Sequence, residues 1–140
     1  MIPDRVFKSI EHSFKGYKKY SDGQQVEVGY KPDYVLVKGN DYIILESENS
    51  SSRKMYVGGM IKAAHFLRDN RMGILVFVIK PKKNTKVSSI AKHLSPYFKW
   101  LEGRTKLKSV YVIDGAKYYS NNVVLEIGGQ AFNDMAIKVQ

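Results

Sequence analysis

The chain has 140 residues, 44% of them apolar, which suits one compact domain over residues 1–140 and argues against disorder. It has no cysteine, so disulfides, thiolate metal ligands and cysteine nucleophiles are excluded. Twenty-three Lys and Arg against thirteen Asp and Glu leave a formal net charge of +10, a field that attracts polyanions and makes nucleic acid the expected partner.

The N-terminal Met-Ile-Pro-Asp-Arg-Val-Phe-Lys mixes charges into its first residues and shows no secretory pattern. The most apolar run, Ile74 to Ile79, is far too short to span a bilayer. A soluble, cytoplasmic chain without a membrane partner is expected. A first helix is predicted from Pro3 to Tyr20, because proline suits a first helical turn and Val6, Ile10, Phe14 and Tyr17 share one face. Ser21-Asp22-Gly23 ends it, and Val26, Val28 and Tyr30 alternate with polar neighbours as a strand would.

Two further strands are predicted, Asp33 to Val37 and Tyr42 to Glu48, joined by a turn at Gly39-Asn40, where glycine accepts positive φ. A helix follows Ser50-Ser51-Ser52, any of which can supply a capping oxygen. Its expected buried stripe is Val57, Met60, Ile61, Ala64 and Leu67, and Gly58-Gly59 inside it suggests close approach to the sheet. Gly73 to Lys80 reads as a central strand covered on both faces. Val87 to Leu101 reads as helical with a break at Ser95-Pro96, and Ser109 to Ile113 as another buried strand. Val123 to Ile127 is the candidate last strand; the tail beyond Gly129 carries little signal. The alternation implies an α/β fold, in the order α-β-β-β-α-β-α-β.

The hairpin carries the chemistry. If Gly39 and Asn40 form the turn, Lys38 faces Asp41, and counting back along both strands sets Asp33 opposite Glu46 and Lys31 opposite Glu48. A four-residue loop pairing Val37 with Tyr42 gives the same register. Facing residues have Cβ atoms about 5 Å apart, and Glu46 and Glu48, two apart, project from one face. Three carboxylates on one patch repel one another unless something neutralises them. An all-oxygen donor set favours Mg²⁺ or Mn²⁺ over zinc. The alternative is a solvated acidic strand face. It is weakened by the run Ile43-Ile44-Leu45 straight into Glu46, and by the chain's general poverty in acids.

Pro32-Asp33, a hairpin, and Glu46-Ser47-Glu48 on an apolar strand resemble the motif of the PD-(D/E)XK nuclease superfamily, as does the α-β-β-β-α-β order. That resemblance implies a restriction-endonuclease-like core with a mixed central sheet flanked by helices. The usual motif ends in lysine, where this chain has Glu48. In that respect it is similar to the BamHI-type restriction endonucleases, which carry E-x-E, and the likeness covers about residues 30–81. The resemblance implies that Asp33 and Glu46 bind the metal, with the Ser47 carbonyl as a further ligand. It gives Glu48 either a second ion or the role of general base. Some members carry the lysine on the following helix, which makes Lys62 a candidate catalytic residue, with a phosphate contact or a surface position as alternatives. Glu11 could be an auxiliary acid of the kind some members place on the first helix; a solvated acid is the simpler account.

No P-loop, G-x-S-x-G or dinucleotide fingerprint is present. His65 is expected to face solvent, and His12 and His93 have no partner visible in sequence. Basic clusters include Arg53, Lys54, Lys82 and Lys83, the candidate nucleic-acid contacts. Together these expectations describe a Mg²⁺-dependent endodeoxyribonuclease acting on double-stranded DNA, as a homodimer if both strands are cut. The alternatives are a structure-selective nuclease such as a Holliday junction resolvase, and an inactive DNA-binding module of the same fold.

Overall fold

The computed structural model describes residues 2–140. Its organising feature is the tight hairpin at Gly39-Asn40. Strand β2 (Tyr34–Lys38) turns there into β3 (Asp41–Glu48), and Lys38 faces Asp41 as expected. Gly39 supplies the positive φ of +60° that such turns demand. Every residue from Ile43 to Leu45 is buried, so β3 is an interior strand.

The chain then makes two parallel crossovers. Helix α2 (Arg53–Phe66) leads to β4 (Met72–Ile79), and α3 (Val87–Leu101) leads to β5 (Leu107–Asp114). With β1 (Lys18–Ser21) beside β2 and β8 (Ile137–Lys138) beside β5, the result is a mixed six-stranded sheet, ordered β1-β2-β3-β4-β5-β8. Each face has its own core. One packs α2 and α3 through Tyr56, Met60, Leu94 and Phe98 onto Val35, Ile44, Leu75 and Val112. The other packs Phe7 of α1 (Asp4–Ser9), Tyr118 of α4 (Gly115–Tyr118) and Phe132 of α5 (Gln130–Met135) onto Leu36, Ile43, Leu45 and Val76. The fold is therefore α/β with helices flanking a mixed sheet. Among the described residues no helix is long and apolar enough to cross a membrane.

Several expected elements take another form. The helix predicted over Pro3 to Tyr20 stops at Ser9, and Lys18–Ser21 becomes the edge strand β1. Gly16 sits between them at φ +87°. No strand forms over Val26 to Tyr30, which hold only a Glu27–Tyr30 bridge, and Val28 is 95% exposed. On α2 the buried stripe is Tyr56, Met60, Ala63, Ala64 and Leu67, with Ile61 exposed. Ser52 stands at the N-cap without a side-chain bond; instead Ser50 Oγ accepts the Ser52 N–H at 2.9 Å. Gly59, as expected, marks a close approach, since a Cβ there would lie 3.3 Å from the Phe77 ring. Helix α3 runs unbroken through Pro96. Leu94, Phe98 and Leu101 continue one buried stripe, and their packing outweighs the hydrogen bond that proline forfeits. The expected strand over Val123 to Ile127 shrinks to β7 (Val123–Val124), paired with β6 (Tyr119–Ser120) apart from the main sheet.

Candidate functional site

The ladder between β2 and β3 ends at Tyr34 opposite Leu45, and one residue beyond it the two strands exchange side-chain bonds. Asp33 donates its N–H to Glu46 Oε1 at 3.0 Å, while Asp33 Oδ2 accepts the Ser47 N–H at 2.7 Å. Pro32, which the register would set opposite Ser47, precedes the strand and has no N–H to contribute. Asp33 and Glu46 are thus held side by side, as the register requires.

Both carboxyls are half-buried, and both are hard to ionise. Burial, then the neighbouring Asp33 charge, pushes the Glu46 carboxyl up to about 8. Burial likewise raises Asp33 to about 6, against the opposing Ser47 N–H bond. Lys8 on α1 partly offsets this, reaching 4.0 Å from Asp33 Oδ1 while bonded to Asp4 at 3.0 Å. Two acids are therefore kept in contact where their charges are least welcome, an arrangement that a divalent cation relieves.

Glu46 lines a cleft of about 450 Å³ at the carboxyl end of β3, with Asp33, Ser47, Glu48, Tyr30, Lys31, Lys54 and Lys62 among its walls. A second cavity of about 450 Å³ shares Ser47 and Glu48 and continues over the ends of β4 and β5. Glu48 lines both, on the face of Glu46, with one of its two oxygens committed to the backbone. Its Oε1 accepts the N–H groups of Asn49 at 3.0 Å and Ser50 at 2.9 Å, capping the chain as it leaves the sheet. The expected opposition of Lys31 and Glu48 does not form, because the ladder has already ended. Among the described residues no group of three His, Cys, Asp or Glu side chains is arranged to hold a metal ion. The three-carboxylate patch is in fact a pair with a third acid beside it.

The oxygen donors present suit a small hard cation nonetheless. Magnesium needs only one or two protein carboxylates, its remaining positions going to water and phosphate. Ser47 turns its N–H toward Asp33, and a strand residue's carbonyl points to the same edge, so the Ser47 carbonyl faces the Asp33 side beyond the ladder. Glu48 shows the alternation, because its carbonyl accepts from Lys80 N on the β4 side at 3.1 Å.

The basic candidates divide. Lys62 enters the cleft, where its charge favours ionised Glu46, and its Nζ bonds the Gly29 carbonyl at 3.1 Å. Lys54 lines the cleft, and Lys82 and Lys83 are exposed beyond the end of β4. Arg53 is committed to structure: its guanidinium donates to the carbonyls of Ser51 and Asn84, both at 3.0 Å, tying α2 to the loop before α3. Glu11 lies outside α1 and is exposed. His65 is exposed but pairs with Glu27 at 2.7 Å. Sequence reasoning missed Asp4, Lys8 and Tyr30, which reach the site from outside the hairpin. Only the pairing register of a complete fold could have found them.

Compared with known protein families, curated proteins and solved structures, the chain matches none.

Proposed function

We propose that the chain is a Mg²⁺-dependent endodeoxyribonuclease of restriction-endonuclease-like type, acting on double-stranded DNA. One observation carries the proposal: two half-buried carboxylates, Asp33 and Glu46, are locked together at the end of an interior strand, in a cleft that lysines also line. A surplus of cations alone would bind nucleic acid, but it would not need that pair.

Asp33 and Glu46 would hold the cation, with the Ser47 carbonyl as a third oxygen. The ion, when bound, polarises a phosphoryl oxygen and stabilises the leaving oxygen. Lys62 then neutralises charge on the scissile phosphate, in the place left by the lysine that Glu48 replaces. Glu48, oriented through the Asn49 and Ser50 amides, keeps one carboxylate oxygen to take the proton of an attacking water. Attack in line with the leaving oxygen yields a 5′-phosphate and a 3′-hydroxyl. Lys54, Lys82 and Lys83 hold the flanking phosphates. Cutting both strands with one site per chain calls for a homodimer, which sedimentation on a DNA duplex would reveal.

Plasmid nicking with and without Mg²⁺, on wild type and Glu46→Ala, decides the matter. Mg²⁺-dependent nicking by wild type and its loss in Glu46→Ala is the expected result; equal or absent cleavage in both rejects it. The engagement of Glu48 with backbone amides favours one second reading, an inactive DNA-binding module of the same fold. That reading gives binding that weakens steeply with salt and is indifferent to Mg²⁺ and to Asp33→Ala.

A further inference from the structure

The loop between β1 and β2 carries a side chain whose chemistry packing alone does not explain. Tyr30 is 3% exposed, and its ring lies 6.2 Å from that of Phe66 in the core beneath α2. Its hydroxyl is sealed from solvent and has no hydrogen-bond partner among the described residues. Phenylalanine would fill the same space without stranding a polar atom, so the hydroxyl costs stability that the core does not require. Tyr30 also lines the cleft together with Asp33, Glu46 and Lys62.

The residue is held there firmly. Tyr30 N donates to the Glu27 carbonyl and Val26 N to the Tyr30 carbonyl, each at 3.0 Å. Lys62 bonds the adjacent Gly29 carbonyl. Glu27 is anchored to His65 of α2 at 2.7 Å and to Arg68, just past the end of that helix, at 2.6 Å. The segment leading into Tyr30 is therefore tied at two points, Glu27 and Gly29, which holds the ring under α2. After burial, the strongest influence on that hydroxyl is the charge of Glu46.

We infer that Tyr30 is a positioning residue of this site, its hydroxyl donating to the Glu46 carboxylate when that carboxylate holds a divalent cation. The inference rests on the metal-dependent cleavage proposed above. Glu46 Oε1 already accepts the Asp33 N–H, so a second donor to the other oxygen would fix the plane of the carboxylate. No acceptor among the described residues meets the hydroxyl, so the bond forms as the Glu46 carboxylate turns on taking up the cation while the ring stays in place. Sealed from solvent, the hydroxyl does not touch nucleic acid and acts through Glu46 alone.

Tyr30→Phe in the full chain tests this with three readouts: Mn²⁺ affinity by calorimetry, Mg²⁺-dependent plasmid nicking resolved into kcat and KM, and Tm without metal. Loss of a group that orients a metal ligand lowers affinity or activity about 10- to 100-fold, and that loss is expected in Mn²⁺ affinity and kcat. KM for DNA should stay unchanged and Tm should hold or rise. A Phe variant that binds Mn²⁺ and nicks like wild type overturns the inference and leaves the proposed activity standing. So does one that melts earlier without metal and loses both readouts, which assigns the hydroxyl to the fold. Wild type that binds Mn²⁺ more tightly than the variant yet never nicks supports Tyr30 and rejects the nuclease. Wild type that does neither overturns both.

Discussion

Two clusters in this molecule hold polar side chains away from water, and they do so on opposite terms. Beneath α1, His12 is 4% exposed, and both its ring nitrogens are used. Nε2 lies 2.7 Å from the Phe7 carbonyl, which can only accept, so it carries the proton; Nδ1 then accepts from the Tyr118 hydroxyl at 2.6 Å. The imidazole also stacks on the Tyr118 ring at 5.6 Å. Across the sheet, Asp33 and Glu46 share a cleft as neighbouring acids, and Tyr30 hides a hydroxyl with no partner among the described residues. The first cluster is fully satisfied and belongs to the architecture. The second keeps unfavourable terms that better-packed residues would remove, which is the usual mark of a site kept for a ligand.

The largest effect that would break this contrast lies at Glu46. Glu46→Gln keeps an oxygen for the Asp33 N–H but removes the charge, so Mg²⁺-dependent nicking should fall by at least about 100-fold, while the apo protein melts higher at pH 8. A variant that loses stability instead would make Glu46 structural. His12→Ala should behave in the reverse way. It empties a stacked ring site and orphans the Tyr118 hydroxyl, costing about 3 kcal/mol in chemical denaturation. Nicking by the protein that remains folded should be unchanged, since His12 belongs to the core on the other face of the sheet from Glu46.

The unequal legibility of these two clusters has a physical basis. The Asp33–Glu46 pair follows from local counting, because a two-residue turn fixes the register of everything that hangs from it. The apolar run of β4 likewise announces a strand covered on both faces. His12 and Tyr118 lie 106 residues apart, and no periodicity links them. The first segment misleads for a related reason. Val6, Ile10, Phe14 and Tyr17 have helical spacing, but Phe14 and Tyr17 reach the core from a loop, and the open edge of β2 recruits Lys18–Ser21 as a strand. Strand pairing outweighs local propensity there. β8 touches β5 through only two residue pairs, too few to show alternation in sequence. The lost convergence of Glu48 is a side-chain choice: the face was legible, but the pull of two loop amides was not.

Acid and base should separate the two clusters next. His12 has its basicity lowered to about 4, chiefly by burial, so it contributes stability above about 6.5 that is lost as pH falls toward 4. Glu46 is raised to about 8, so its contribution is full below about 4.5 and is lost as pH rises through 8. Wild type should therefore lose stability at both ends of this range. Glu46→Gln should flatten the alkaline limb only, as read by Tm between pH 4 and pH 9. Mg²⁺ should raise Tm of wild type more at pH 8 than at pH 6, and should leave Glu46→Gln unmoved. An equal Mg²⁺ effect on both proteins would place the cation elsewhere.

The smallest expected effect distinguishes satisfied from unsatisfied cations in the same way. Arg53 spends its guanidinium on Ser51 and Asn84, whereas the adjacent Lys54 makes no hydrogen bond or ion pair among the described residues and faces the cleft. Each phosphate contact contributes about 0.9 to the slope of log affinity against log salt. Lys54→Ala should lower the slope measured on a DNA duplex by about that much, with Tm unchanged. Arg53→Ala should leave the slope alone and lower Tm, because the tie between α2 and the loop before α3 is lost. If the two variants exchange these behaviours, partner satisfaction is the wrong guide to which cations meet DNA, and Arg53 leaves its carbonyls when the duplex arrives.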